Sequence, residues 1–125
     1  MDASDFSILI VDDENDLLEL ISDSFDLEGF NVQSTPDGNK AMELVGSETF
    51  DVILCDQNLN DNITGTNVLE KMKKNEKSSK CKFFLLTGDI TIDLNELKSN
   101  GGTGVIEKPF DSDQVVEQIK VLLGI

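Results

Sequence analysis

Three runs constrain this chain more than anything else in it: FSILIV from Phe6 to Val11, VILCD from Val52 to Asp56, and KFFLLT from Lys82 to Thr87. A strand with one face in water alternates apolar and polar residues. These runs are apolar almost throughout, so both of their faces must be covered. Segments with apolar residues at helical spacing separate them, and parallel strands joined by helices of ten or so residues require right-handed crossovers. The expected fold class is therefore α/β, a doubly wound parallel sheet with helices on both faces.

The rest of the chain fits that alternation. After the first run, Leu17, Leu18, Ile21 and Phe25 mark a helix closed by Gly29. FNVQS, Phe30 to Ser34, alternates as a short strand, Pro36-Asp37-Gly38 turns the chain, and Ala41, Met42, Leu44 and Val45 mark a second helix. Val68, Leu69 and Met72 fit a third, whose end is matched to the helix dipole by six of the ten lysines, Lys71 to Lys82. Leu94 and Leu97 place a fourth helix before the loop NGGTG, and VIEKPF supplies a fifth strand. Asp111 and Gln114 form a capping-box pattern ahead of Val115, Val116, Ile119, Leu122 and Leu123. At 125 residues and 38% hydrophobic, the chain has room for one core and one domain. We expect residues 1–5 to be a short tail and residues 6–125 to be that domain.

Charge and composition exclude several functions. A net charge of -15 repels nucleic acid and anionic membranes, and every cation is Lys because Arg is absent. No stretch reaches the length of a membrane span, and MDASDFSILIVDDE has neither a basic leader nor a cleavable apolar segment. The expected location is cytoplasmic. Histidine is absent, which removes the commonest zinc ligand and the usual general base. Cys55 and Cys81, set about five residues apart along parallel strands, would lie on the order of 16 Å apart, too far for a disulfide.

In a doubly wound sheet the ligand site lies beyond the carboxyl ends of the strands. The polar residues there are Asp12 and Asp13 after the first strand, Asp56 ending the third, Thr87 ending the fourth and Lys108 ending the fifth. Singly, each has an ordinary role as a cap, a turn or a solvated charge. Together, three converging carboxylates repel unless a cation or a raised pKa offsets them, and the ion that suits this donor set is Mg²⁺ or Mn²⁺. Such a pocket suits a phosphoryl group: metal and Lys108 neutralise its oxygens, Thr87 donates a hydrogen bond, and one carboxylate attacks phosphorus in line. Asp56, the last residue of a core strand, is where the chain is expected to surface.

VDDE after the first strand, VILCD ending the third, LLTG ending the fourth and EKPF after the fifth resemble, in order and spacing, the response-regulator receiver domains of two-component signalling. The resemblance implies a flavodoxin-like (βα)5 fold with strand order 2-1-3-4-5. It implies that Asp56 is the phospho-acceptor and that Asp13, Asp56 and the backbone carbonyl of Asn58 hold Mg²⁺ (or Mn²⁺), with Asp12 helping through water. Thr87 and Lys108 would bind the phosphoryl oxygens, and the Lys108-Pro109 bond would be cis. The implied partners are a histidine kinase or histidine phosphotransfer protein and a downstream protein. With no effector domain attached, the chain resembles a stand-alone receiver, not an enzyme beyond its own phosphorylation and dephosphorylation.

Three positions depart from the family pattern. The usual Met-Pro pair after the phospho-acceptor is Leu59-Asn60, and the usual Gly stands nine residues on, at Gly65, rather than eight. The segment from Thr87 to Lys108 is about one residue short. The usual aromatic residue three before the lysine is Val105. Output is therefore expected through the loops, with Gly65 and Gly88 taking up backbone change. The alternative reading is a degenerate receiver that binds its partner without phosphorylation. An aspartyl-phosphate phosphatase of the haloacid-dehalogenase type would need a second Asp where this chain has Asn58.

Overall fold

The structure, a computed structural model, describes residues 1–89 and 91–125. Its strands are β1 (Ser7–Val11), β2 (Asn31–Thr35), β3 (Val52–Asp56), β4 (Lys82–Thr87) and β5 (Gly104–Glu107). The helices are α1 (Asn15–Leu27), α2 (Gly38–Ser47), α3 (Gly65–Lys73), α4 (Leu94–Ser99) and α5 (Ser112–Leu123). All strand pairs are parallel, in the order β2-β1-β3-β4-β5, so the winding reverses between β1 and β3. This is the flavodoxin-like α/β sheet expected from the strand patterns and the family resemblance.

Alternation within the fully apolar strands supplies two cores. Ile8 and Ile10 of β1, Val52 and Leu54 of β3, and Phe84 and Leu86 of β4 pack against Leu18, Ile21 and Phe25 of α1 and Val115, Val116 and Ile119 of α5. Their odd-numbered neighbours Leu9, Val11, Ile53, Cys55, Phe83 and Leu85 pack against α2, α3 and α4 through Ala41, Val45, Val68, Leu69 and Leu97. Each fully buried Leu or Ile contributes roughly 1.5–3 kcal/mol. That summed burial offsets the cost of crowding charge at one end of the sheet.

Element ends differ from expectation in small ways with plain causes. β2 runs to Thr35, one residue later than expected, because its register with β1 pairs Val11 with Thr35. α4 is only six residues long, with Leu97 alone buried and Leu94 exposed, since Leu94 falls in the first turn away from the sheet. At α5 the Asp111 carboxylate caps the N–H groups of Asp113 and Gln114, and the reciprocal half of the expected capping box is not made. Residues 3–5 form a 3-10 turn whose Asp2 side chain caps Ser4. The thiols of Cys55 and Cys81 are free. Cys55 pairs with Leu85, so Cys81 sits four residues back along the neighbouring strand, about 13 Å away. Burial pushes the thiol pKa of both above the ordinary value, to about 12 for Cys81, so neither is a ready nucleophile.

Candidate functional site

The same alternation aims the site. Asp12, Asp56 and Lys108 continue the even-numbered rows Ile8-Ile10, Val52-Leu54 and Ile106, all of which face the α1/α5 layer. The ladder extends past the formal strand ends: Asp12 N–H donates to the Thr35 carbonyl at 3.4 Å and Lys108 N–H to the Thr87 carbonyl at 2.9 Å. Lys108 therefore lies one residue beyond β5, which ends at Glu107. The three side chains leave the carboxyl edge on one side of the sheet. Lys108 Nζ reaches Asp12 Oδ2 at 2.9 Å and Asp56 Oδ2 at 3.5 Å. The Lys108-Pro109 peptide is cis.

Oxygens of Asp12, Asp13 and Asp56 all lie within 4.8 Å of one another. At that spacing two carboxylates repel by about 3 kcal/mol at an effective dielectric near 20. One ammonium against three carboxylates leaves two negative charges, the complement of a divalent cation. The donor set is all oxygen. Asp12 is fully buried, with Oδ1 accepting from Glu14 N–H at 2.9 Å. Its Oδ2 has the Lys108 charge beside it but no aligned hydrogen bond. Asp13 is exposed. The residues present fit a hard cation such as Mg²⁺.

Asp56 does not surface as expected. It is 7% exposed, because β3 is central and all five of its residues are buried. Burial is the main reason its carboxyl pKa rises to about 6, with Asp12 and Asp13 adding to the rise, while Lys108 and the Asn58 N–H work against it. Burial also works against the Lys108 charge. The flanking Asp12 and Asp56 outweigh it and hold the Lys108 pKa above the ordinary lysine value.

Thr87 ends β4, buried, on the opposite parity from Asp56, whose strand partner is Leu86. Its Oγ1 accepts from Asp89 N–H at 3.0 Å, which leaves the hydroxyl proton free to donate. Asn58 N–H points back to Asp56 Oδ1 at 3.4 Å, and its carbonyl accepts no hydrogen bond from the described residues. Thus Asp12, Asp13 and Asp56 converge, Lys108 pairs with Asp12 and Asp56, Asn58 lies beside Asp56, and Thr87 is buried at the end of the neighbouring strand. Val105 is partly buried beside Thr87, Ile92 and Leu94 along a surface groove of about 510 Å³.

A family model described as the response regulator receiver domain matches residues 8–120. The chain belongs to this family. Receivers are phospho-acceptors, and an aspartyl phosphate and Mg²⁺ binding are typical of the family. This receiver is 28% identical over 116 residues to sporulation initiation phosphotransferase F of Bacillus subtilis, covering 93% of the chain and 92% of that protein. It spans about half the length of the curated transcriptional regulators it matches, such as the probable regulator TcrX of Mycobacterium tuberculosis. Among solved structures, chemotaxis response regulator CheY4 of Vibrio cholerae shares the fold, with a TM-score of 0.83, 24% identity, and 94% and 98% of the two chains covered. So does the receiver domain of sensor histidine kinase PA1611 of Pseudomonas aeruginosa, with a TM-score of 0.80, 21% identity, and 96% and 98% covered, described with a magnesium ion coordinated in its active site cleft.

The sequence reading missed how the loop after Asp56 is held. Residues 57–64 fold against the start of α2 through Asn60 and Asp61, two residues whose only signal was that Asn60 stands where the family has Pro.

Proposed function

We propose that this receiver, over residues 6–125, accepts a phosphoryl group on Asp56 from a histidine kinase or a histidine phosphotransfer protein. The observation that carries the reading is the convergence of Asp12, Asp13 and Asp56 within 4.8 Å, with the Lys108 ammonium at 2.9 and 3.5 Å from two of them. With a pKa near 6, Asp56 is mostly ionised at neutral pH and can act as the nucleophile. Its carboxylate attacks phosphorus as the P–N bond to the donor imidazole breaks, and that bonding pair returns to the nitrogen. Lys108 and the Thr87 hydroxyl bind the transferred oxygens. Asp12, Asp13, Asp56 and the Asn58 carbonyl would hold Mg²⁺ or Mn²⁺, which supplies the remaining positive charge at the phosphoryl oxygens.

The chain then signals by docking to a downstream protein or by passing the phosphoryl group on, within the cytoplasm. No helix among the described residues is long and apolar enough to cross a membrane. The net charge of -15 opposes contact with nucleic acid or an anionic membrane by this domain. Incubation with acetyl phosphate and Mg²⁺, read by intact mass, tests the reading. One added phosphoryl group is expected, absent in Asp56→Asn and suppressed by a chelator. Partner binding without any added mass would instead favour the phosphorylation-independent module.

A further inference from the structure

The loop of residues 57–64 is one residue longer than the family pattern, and the structure shows what holds it. Asp61 and Asn62 both adopt left-handed backbone, φ 56° and 60°, a conformation that short polar residues tolerate, and so take up the extra length. Asn60 then fastens the loop to α2. Its Oδ1 accepts from Gly38 N–H at 2.7 Å, one of the free donors at the helix start, and its Nδ2 donates to Asp37 Oδ1 at 2.9 Å. That second bond is the main reason the Asp37 carboxyl is held below its ordinary pKa. Asp61 Oδ2 accepts from Asn39 Nδ2 at 2.8 Å. Ile63 packs so close to Gly38 that a Cβ there would meet Ile63 Cβ at 2.9 Å.

The other side of the same loop faces the acidic pocket. Leu59 N–H donates to the Ile63 carbonyl at 3.0 Å, Asn58 bridges Thr64, and Asn58 N–H contacts Asp56 Oδ1. Asn58 is thus held between the phospho-acceptor and the Asn60 clamp. We propose that Asn60 is a positioning residue: by fastening the loop to the first turn of α2 it sets the place of the Asn58 carbonyl, and with it the affinity of the pocket for a divalent cation. The inference rests on the reading of Asp12, Asp13, Asp56 and the Asn58 carbonyl as a Mg²⁺ site. It adds a mechanical link from that site to α2.

Titrating Mg²⁺ into the metal-free protein, followed by calorimetry and by amide chemical shifts, tests it. Asn60→Ala should weaken Mg²⁺ binding about tenfold, the usual size of an effect from a residue one shell behind the ligands. Gly38→Ala leaves Asn60 intact and places a better helix former in α2, yet its Cβ displaces Ile63 and should weaken binding as well. In the parent protein the Gly38 and Asn39 amides should shift on adding Mg²⁺, and in Asn60→Ala they should not. A purely structural role would lower the metal-free melting temperature and leave the affinity alone. Affinities of both variants within twofold of the parent, or silent Gly38 and Asn39 amides in the parent, would overturn the inference while leaving the Mg²⁺ site standing. A parent that binds no Mg²⁺ would remove both.

Discussion

Asp56 ends a strand whose five residues are all buried, and that burial is the largest influence on its carboxyl. Its folded pKa of about 6 lies above the unfolded value of 3.8. Protonation therefore favours the folded state: the contribution is fully present below about pH 4 and is lost as pH rises through about 6. The gap between the two values corresponds to at most about 3 kcal/mol. Melting curves of the metal-free parent and of Asp56→Asn, compared from about pH 3.5 to about pH 7.5, should diverge through that window, with the variant the more stable at the top. Parallel curves would mean that Asp56 titrates as an exposed carboxyl. Since the proton competes for the same oxygens, phosphorylation by acetyl phosphate should also slow as pH falls, with bound Mg²⁺ moving that loss to lower pH than in the metal-free protein.

At the scale of elements, two glycines expected to serve as hinges part company. Gly65 begins α3, and a Cβ there would meet Leu85 Cδ2 at 2.5 Å and the Asp56 carbonyl at 2.8 Å. Its lack of a side chain serves close packing of α3 against β3 and β4, not movement. Gly65→Ala should cost about 1–3 kcal/mol of stability, as overpacking does, readable as a lower denaturation midpoint at unchanged slope. Gly88 is different: the nearest atom to a Cβ there is the Lys108 carbonyl at 3.8 Å, which leaves room for change. Val105 has one side-chain torsion and no ring to swing between two packings. Beryllofluoride, standing in for the phosphoryl group, should therefore shift amides at residues 57–65, 87–89 and 91–94, and at Lys108 where it touches the group, and leave those of α5 nearly still. A strong response along β5 and α5 would show that the usual route works without its aromatic residue.

For the whole molecule, the acidic cluster is a local concentration of a general excess, -15 over 125 residues. A Mg²⁺ site built from these carboxylates exists only in the folded arrangement, so on the proposed reading millimolar Mg²⁺ should raise the melting temperature by mass action. Asp13→Asn should raise the metal-free value by roughly 3–5 °C, about 1 kcal/mol of relieved repulsion, and abolish the Mg²⁺ response. An unchanged midpoint in Mg²⁺ would mean that the carboxylates do not act together. Much of this was legible without coordinates. Apolar runs that stop at Asp12, Asp56 and Thr87 mark where each strand ends, and helical spacing between them points to a parallel sheet, because both are local patterns that repeat every two or 3.6 residues. The family motifs added the strand order. Other features depended on segments far apart in the chain, whose register and approach no local period encodes. Pairing β1 with β3 and β4 with β5 is what brings Asp12, Asp56 and Lys108 out on one side at ion-pair distance. Central placement of β3 is what buries Asp56 and raises its pKa. The Asn60 clamp on Gly38 arises only when the loop after β3 meets the start of α2, a contact between two crossovers that the fold alone brings together.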